Sequence, residues 1–143
     1  MSNPDPVFQV FISHSSVDTW VARQIASAVQ QCGATYFLYE TDTEYGDDFE
    51  EKMRAAVHAS RELLVLLTPW ALKRPYIWLE VGAFWRQGQR IVGVLYGSSK
   101  KDLLTDEGMP IMLKRITLVE INQLDEYLGQ LAGRVEKVRQ GHG

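Results

Sequence analysis

The run LLVLLT, residues 63 to 68, narrows what this chain can become more than any other stretch. Five successive apolar side chains cannot lie on a sheet with one wet face, because every second residue would then meet water. The run therefore reads as a central parallel strand, buried on both faces. VFQVFI (7–12), TYFLY (35–39), RIVGVLY (90–96) and RITLVEI (115–121) read as further strands. Segments of helical period separate them. Val21, Ile25, Ala28, Val29 and Cys32 recur at three- and four-residue spacing, and Gly33 ends that helix. Phe49, Met53, Ala56 and Val57 mark a second helix, and Ile77, Val81 and Phe84 a third. Leu124, Leu128, Leu131, Val135 and Val138 mark the last, and GSSKKDLLTDEGMP (97–110) has room for a short one.

Five strands joined through helices imply an open parallel sheet covered on both sides, since right-handed crossovers deliver helices to both faces. This is the flavodoxin-like α/β class, three layers with a five-stranded parallel sheet in the order 2-1-3-4-5. A length of 143 residues suits one domain spanning 1–143, its core running from about 7 to 138. A net charge of -3 supplies no basic field, which argues against nucleic acid as the main partner. The apolar runs are too short to span a bilayer, and MSNPDPVFQ has no signal-peptide pattern, so no membrane association is expected. With Cys32 as its one cysteine, the chain fits the cytoplasm.

In sheets of this class ligands bind beyond the carboxyl ends of the strands. That rule selects Ser13 to Ser16, Tyr39 to Gly46, Thr68 to Glu80, and Tyr96 onward. SHSSVD (13–18) joins the first strand to the first helix, where free amides can hold a phosphate; Ser15 and Asp18 equally have capping-box spacing. No glycine fingerprint for a dinucleotide and no nucleophile elbow is present. A phosphoacceptor receiver needs acidic residues where this chain has Ser13, His14 and Thr68. YETDTEYGDDFEE (39–51) imitates a calcium loop, but its glycine, Gly46, falls one place late and it joins a strand to a helix, so no metal is expected. KRPYIWLEVGAFWRQG (73–88) sets one carboxylate, Glu80, among aromatics. Such a group is paired, exposed or used. Pro75 suits a first helical turn, so Tyr76 and Glu80 share a face beside the buried stripe, near the positive end of the helix.

Three separated motifs together resemble the Toll/interleukin-1 receptor (TIR) domain of the bacterial type, over Val7 to about Val138. VFISHSSVD resembles the family's first strand and following loop, TDTEYGDDFEEKMRAAVHAS its BB loop and second helix, and LLTPWALKRPYIWLE its third strand and the segment ending in the catalytic glutamate. The resemblance implies cleavage of the nicotinamide–ribose bond of NAD+, releasing nicotinamide and ADP-ribose or a cyclic or variant ADP-ribose, in bacterial antiphage immunity. NAD+ is then substrate and no resident cofactor is implied. Glu80 stands at the catalytic position, His14 and Ser15 would touch phosphate or ribose, and Phe49, Trp70 and Tyr76 would offer aromatic faces. Gly46 would let the BB loop approach the substrate. Many NAD-cleaving relatives have tryptophan where this chain has Tyr76. The resemblance also implies self-association through TIR–TIR contacts that include the BB loop, Asp42 to Asp48, and a fused or separate sensor domain. Two other readings stay open: a non-catalytic TIR interaction scaffold, and a nucleoside deoxyribosyltransferase, which sets a glutamate against an N-glycosidic bond in a similar fold.

Overall fold

β3, Glu62–Leu67, occupies the centre of a five-stranded parallel sheet, and all six of its residues are buried. The computed structural model describes residues 7–38, 49–73, 75–105 and 116–141, apart from the side chains of residues 49, 50, 75, 76, 102, 104 and 105. The BB-loop expectation, Asp42 to Asp48 with Gly46, lies outside the described residues. The other strands are β1 (Gln9–Ser13), β2 (Thr35–Leu38), β4 (Arg90–Leu95) and β5 (Thr117–Glu120). Their order is β2-β1-β3-β4-β5 and every pairing is parallel, as expected from the alternation of strands and helices.

Alternation along the strands divides the core in two. Val10, Ile12, Leu64, Leu66, Val92 and Val94 face one way. They meet Ala22, Ile25, Ala26 and Val29 of α1 (Thr19–Gln31), and Tyr127, Leu131, Val135 and Val138 of the last helix, Leu124–Arg139. Phe11, Leu63, Val65, Leu67, Ile91 and Leu95 face the other way. There they meet α2 (Phe49–Ala59) through Ala56 and Val57, and α3 (Pro75–Arg86) through Ile77, Val81 and Phe84. A short α4, Lys100–Thr105, adds Leu103 to that side, so the last helix is α5.

The helical stripes run one residue off expectation in two places. On α1 the buried positions are Ala22, Ile25, Ala26 and Val29, while Val21 and Cys32 are only partly covered. On α5 the inner edge begins with Tyr127 rather than Leu124 or Leu128, which pack at its margin. Tyr127 is drawn inward by a polar partner: its hydroxyl donates to Glu62 Oε2 at 3.3 Å. Arg134 holds the same carboxylate in a fork, Nε to Oε1 at 3.0 Å and Nη2 to Oε2 at 2.9 Å. Glu62 is 1% exposed, so this pairing is what makes a carboxylate tolerable at the amino end of the central strand.

Candidate functional site

The site begins with a register match between β1 and α3. Phe11 and Phe84 pack edge to face, ring centroids 5.5 Å apart. Two residues further along β1, about 6.6 Å, is Ser13 on the same face. Four residues earlier in α3, about 6 Å, is Glu80. A helix returning across a parallel sheet runs against the strands, so the two steps go the same way and bring Glu80 over Ser13.

Glu80 is 2% exposed. Burial pushes its carboxyl from an ordinary value of 4.5 up to about 8, and the Ser13 hydroxyl only partly counters this. That influence comes from proximity rather than a formed bond, since neither Ser13 Oγ nor Glu80 Oε2 has a hydrogen-bond partner among the described residues. Ser15 Oγ, also buried, is in the same position. These hydroxyls and the carboxyl together make a buried polar cluster beside an otherwise apolar layer. The expectation that Glu80 lies near the positive end of its helix is corrected in one respect. Glu80 is the sixth residue of α3, beyond the first turn in which the helix dipole acts, and its acidity is lowered rather than raised.

His14 is 4% exposed and its Nδ1 lies 2.8 Å from the Ser15 carbonyl oxygen. A carbonyl can only accept, so Nδ1 carries a proton. Ser15 does not form the capping box that its spacing allows: no side-chain cap bond is made at that turn. Asp18 instead turns inward, where its Oδ2 accepts from the Thr68 hydroxyl at 2.6 Å. Thr68 Oγ1 in turn accepts from the Ala71 amide at 3.1 Å. Trp70 follows β3 at the same end of the sheet and is 56% exposed. Tyr76 and Phe49 lie in α3 and α2, but their side chains, like Gly46, lie outside the described residues.

The structure thus brings Glu80, His14 and Ser15 to one end of the sheet and adds Ser13, Asp18 and Thr68. The signal for Ser13 was its parity with Phe11. Asp18 was marked only as a cap and Thr68 only by its place at a strand end; their pairing carried no signal, since a contact across fifty residues leaves no local pattern. Two grooves lie elsewhere: one of about 380 Å³ at the amino ends of β4 and β5, beside Trp85, Gln89 and Arg90, and one of about 230 Å³ between α2 and α3, beside Met53, His58 and Gln87. Among the described residues there is no group of three His, Cys, Asp or Glu suited to a metal, and no helix long and apolar enough to cross a membrane.

Residues 10–131 match the family described as TIR domain. The chain is 26% identical over 104 residues to the probable 2' cyclic ADP-D-ribose synthase BdTIR of Brachypodium distachyon. That match takes in 71% of this chain and 46% of the plant protein, about half its length. In three dimensions the chain is similar to the TIR domain of the Toll-related receptor TRR-2 of Hydra magnipapillata, with TM-score 0.66, 18% identity, and coverage of 91% and 97% of the two chains. It is also similar to a metazoan TIR-STING receptor from C. gigas, with TM-score 0.68, 22% identity, and coverage of 92% of this chain and 41% of the receptor. With the match spanning strands β1 to β5 and the first half of α5, this chain belongs to the TIR domain family.

Proposed function

We propose that this TIR domain cleaves the nicotinamide–ribose bond of NAD+, with Glu80 as the catalytic carboxylate. The observation that carries the reading is a glutamate buried at the mouth of the sheet, its Oε2 without a hydrogen-bond partner among the described residues, beside two buried serine hydroxyls in the same state. A structural role offers no reason for that arrangement, because unsatisfied buried polar atoms destabilise a fold. The relative named as a probable cyclic ADP-D-ribose synthase supports NAD-derived chemistry.

In NAD+ the leaving group is a pyridinium. As the C1'–N bond breaks, its electron pair goes to the ring nitrogen and neutral nicotinamide departs, so no general acid is required, in contrast to ordinary glycosides. The ribosyl cation left behind needs a negative charge nearby, and ionised Glu80 supplies it where water is excluded. The Ser13 and Ser15 hydroxyls, buried and without hydrogen-bond partners among the described residues, would bond ribose oxygens. Water then adds to C1', its proton passing to Glu80 or solvent, and gives ADP-ribose. Attack by another oxygen or nitrogen of the same molecule gives a cyclic product. Trp70, exposed at the rim, offers a face to the pyridinium.

The test is nicotinamide release by the assembled or concentrated protein, followed for the parent and Glu80→Gln. Loss of about 100-fold or more in the variant is expected; equal turnover rejects the assignment. Because folded Glu80 ionises around pH 8 and the charged form acts, kcat/KM should rise with pH through about that value. Bound pyridinium favours the carboxylate, so the midpoint for kcat should fall lower.

An interaction role is compatible with this chemistry and has its own support. Trp20 and Leu79 are 72% and 69% exposed, large apolar side chains whose burial would favour contact with another chain. A sedimentation series in protein concentration, paired with nicotinamide release, separates the roles: assembly with no turnover under any condition leaves the scaffold alone.

A further inference from the structure

The loops on either side of the proposed catalytic carboxylate are joined by a buried hydrogen-bonded chain that the chemistry above does not use. His14 Nδ1–H donates to the Ser15 carbonyl at 2.8 Å, and the Asp18 amide donates to the same oxygen at 2.9 Å. The Asp18 carboxylate accepts from Thr68 Oγ1 at 2.6 Å, and Thr68 Oγ1 accepts from the Ala71 amide at 3.1 Å. The Thr68 carbonyl further accepts from the Leu72 amide at 3.1 Å. All the side chains in this path are buried, with Asp18 7% and Thr68 0% exposed.

We propose that Asp18 and Thr68 are positioning residues for NAD+ cleavage, clamping the loop that presents Ser13 to Ser15 against the turn that leads from β3 into α3. This inference rests on the reading of Glu80 given above. The argument is geometric. Ser13 ends β1 and Ser15 follows it, while Trp70 and Glu80 follow β3, and the strands end where their ladders end: β1 and β3 are last paired at Ser13 and Val65. Beyond that point the separation of the two loops is set by side chains. The Asp18–Thr68 bond is the short, charge-assisted link across that gap. Thr68 also holds the first amide of the 3-10 turn Ala71–Lys73, so one hydroxyl fixes both the distance between loops and the path toward Pro75. Releasing it lets the Ser15 hydroxyl drift relative to Glu80 and to the ladder-held Ser13, and drift of about 1 Å at a reacting centre can lower turnover about 100-fold.

Four variants test this. Thr68→Val keeps the shape of the side chain and removes the hydroxyl; Asp18→Ala removes the acceptor. Thr68→Ser and Asp18→Asn retain the bond, since asparagine still offers a carbonyl oxygen. Nicotinamide release is measured well below each variant's unfolding midpoint, beside the parent and Glu80→Gln. Thr68→Val and Asp18→Ala should lose about 10- to 100-fold in kcat with KM within about threefold, and the double variant should fall no further than the worse single one. Thr68→Ser and Asp18→Asn should stay within about threefold of the parent. Exchange of the Ala71 amide should quicken in Thr68→Val and not in Thr68→Ser. Should Asp18→Ala fail to fold, the contrast between the two Thr68 variants decides alone. Folded Thr68→Val at parental kcat overturns the inference while leaving Glu80 in place. Turnover that is absent in the parent, or unchanged in Glu80→Gln, overturns the reading beneath it.

Discussion

At the scale of the residue, Glu80 couples stability to pH. The unfolded carboxyl ionises near 4.5 and the folded one near 8, so its favourable contribution is fully present below pH 4.5 and is lost as the pH rises to 8. The full swing is roughly 4 to 5 kcal/mol. Glu80→Gln removes the charge while keeping the shape. Its thermal midpoint should therefore exceed the parent's at pH 8 to 9, the difference shrinking toward pH 5, in unfolding curves recorded across that range. A parent curve that parallels the variant's at every pH would contradict the buried, neutral carboxyl. Much of this residue was legible in the sequence: an isolated carboxylate among aromatics, four residues before Phe84, had to lie beside the core. Its depth was not, since whether such a group lies at the margin or beneath it depends on what the first strand places opposite, here Phe11 and Ser13.

At the scale of the element, the central strands show how tightly the layers fit. Gly93 of β4 is ringed by side chains: a Cβ there would lie 2.8 Å from Leu118 Cδ2 and from Leu67 Cδ1, and 3.3 Å from Ile116 Cδ1. Leu67 is fully buried and has little room to yield. Gly93→Val should destabilise by about 1 to 3 kcal/mol in urea unfolding without changing the far-UV spectrum. The anchoring of α5 makes a second prediction. Arg134→Met leaves Glu62 buried with only the Tyr127 hydroxyl, so a loss on the order of 3 kcal/mol is expected at neutral pH. Adding Glu62→Gln, which removes the unpaired charge, should recover part of it, which a simple packing defect would not show. Periodicity located these helices and strands to within a residue or two. It misjudged the inner edge of α5 because a hydrophobic stripe records apolar residues only, and Tyr127 is held inside by its hydroxyl.

At the scale of the whole molecule, the order β2-β1-β3-β4-β5 follows from crossover handedness and the buried character of β3, and both were present in the sequence. The site is less local. Its groups come from the end of β1, the segments after β1 and β3, and α3, and what joins the two segments is a contact between Asp18 and Thr68, fifty residues apart. No window of sequence contains it. The family motifs pointed to these residues by resemblance, whereas the fold gathers them at the carboxyl ends of two neighbouring inner strands, β1 and β3. The same placement predicts a concentration effect on the proposed activity. Trp20, Trp70 and Leu79 are large apolar surfaces, and Leu79 is the immediate neighbour of Glu80 on α3. Leu79→Asp should weaken self-association in sedimentation and, where contact between copies promotes turnover, lower nicotinamide release at high protein concentration by about tenfold while leaving the unfolding midpoint near the parent's.

The raised titration midpoint of Glu80 is a consequence of its burial. Opening of the mouth of the sheet to solvent would return the carboxyl toward ordinary acidity, so the proton on this side chain is a built-in hygrometer, and its carbonyl-stretch frequency would tell from moment to moment whether that mouth is shut or wet.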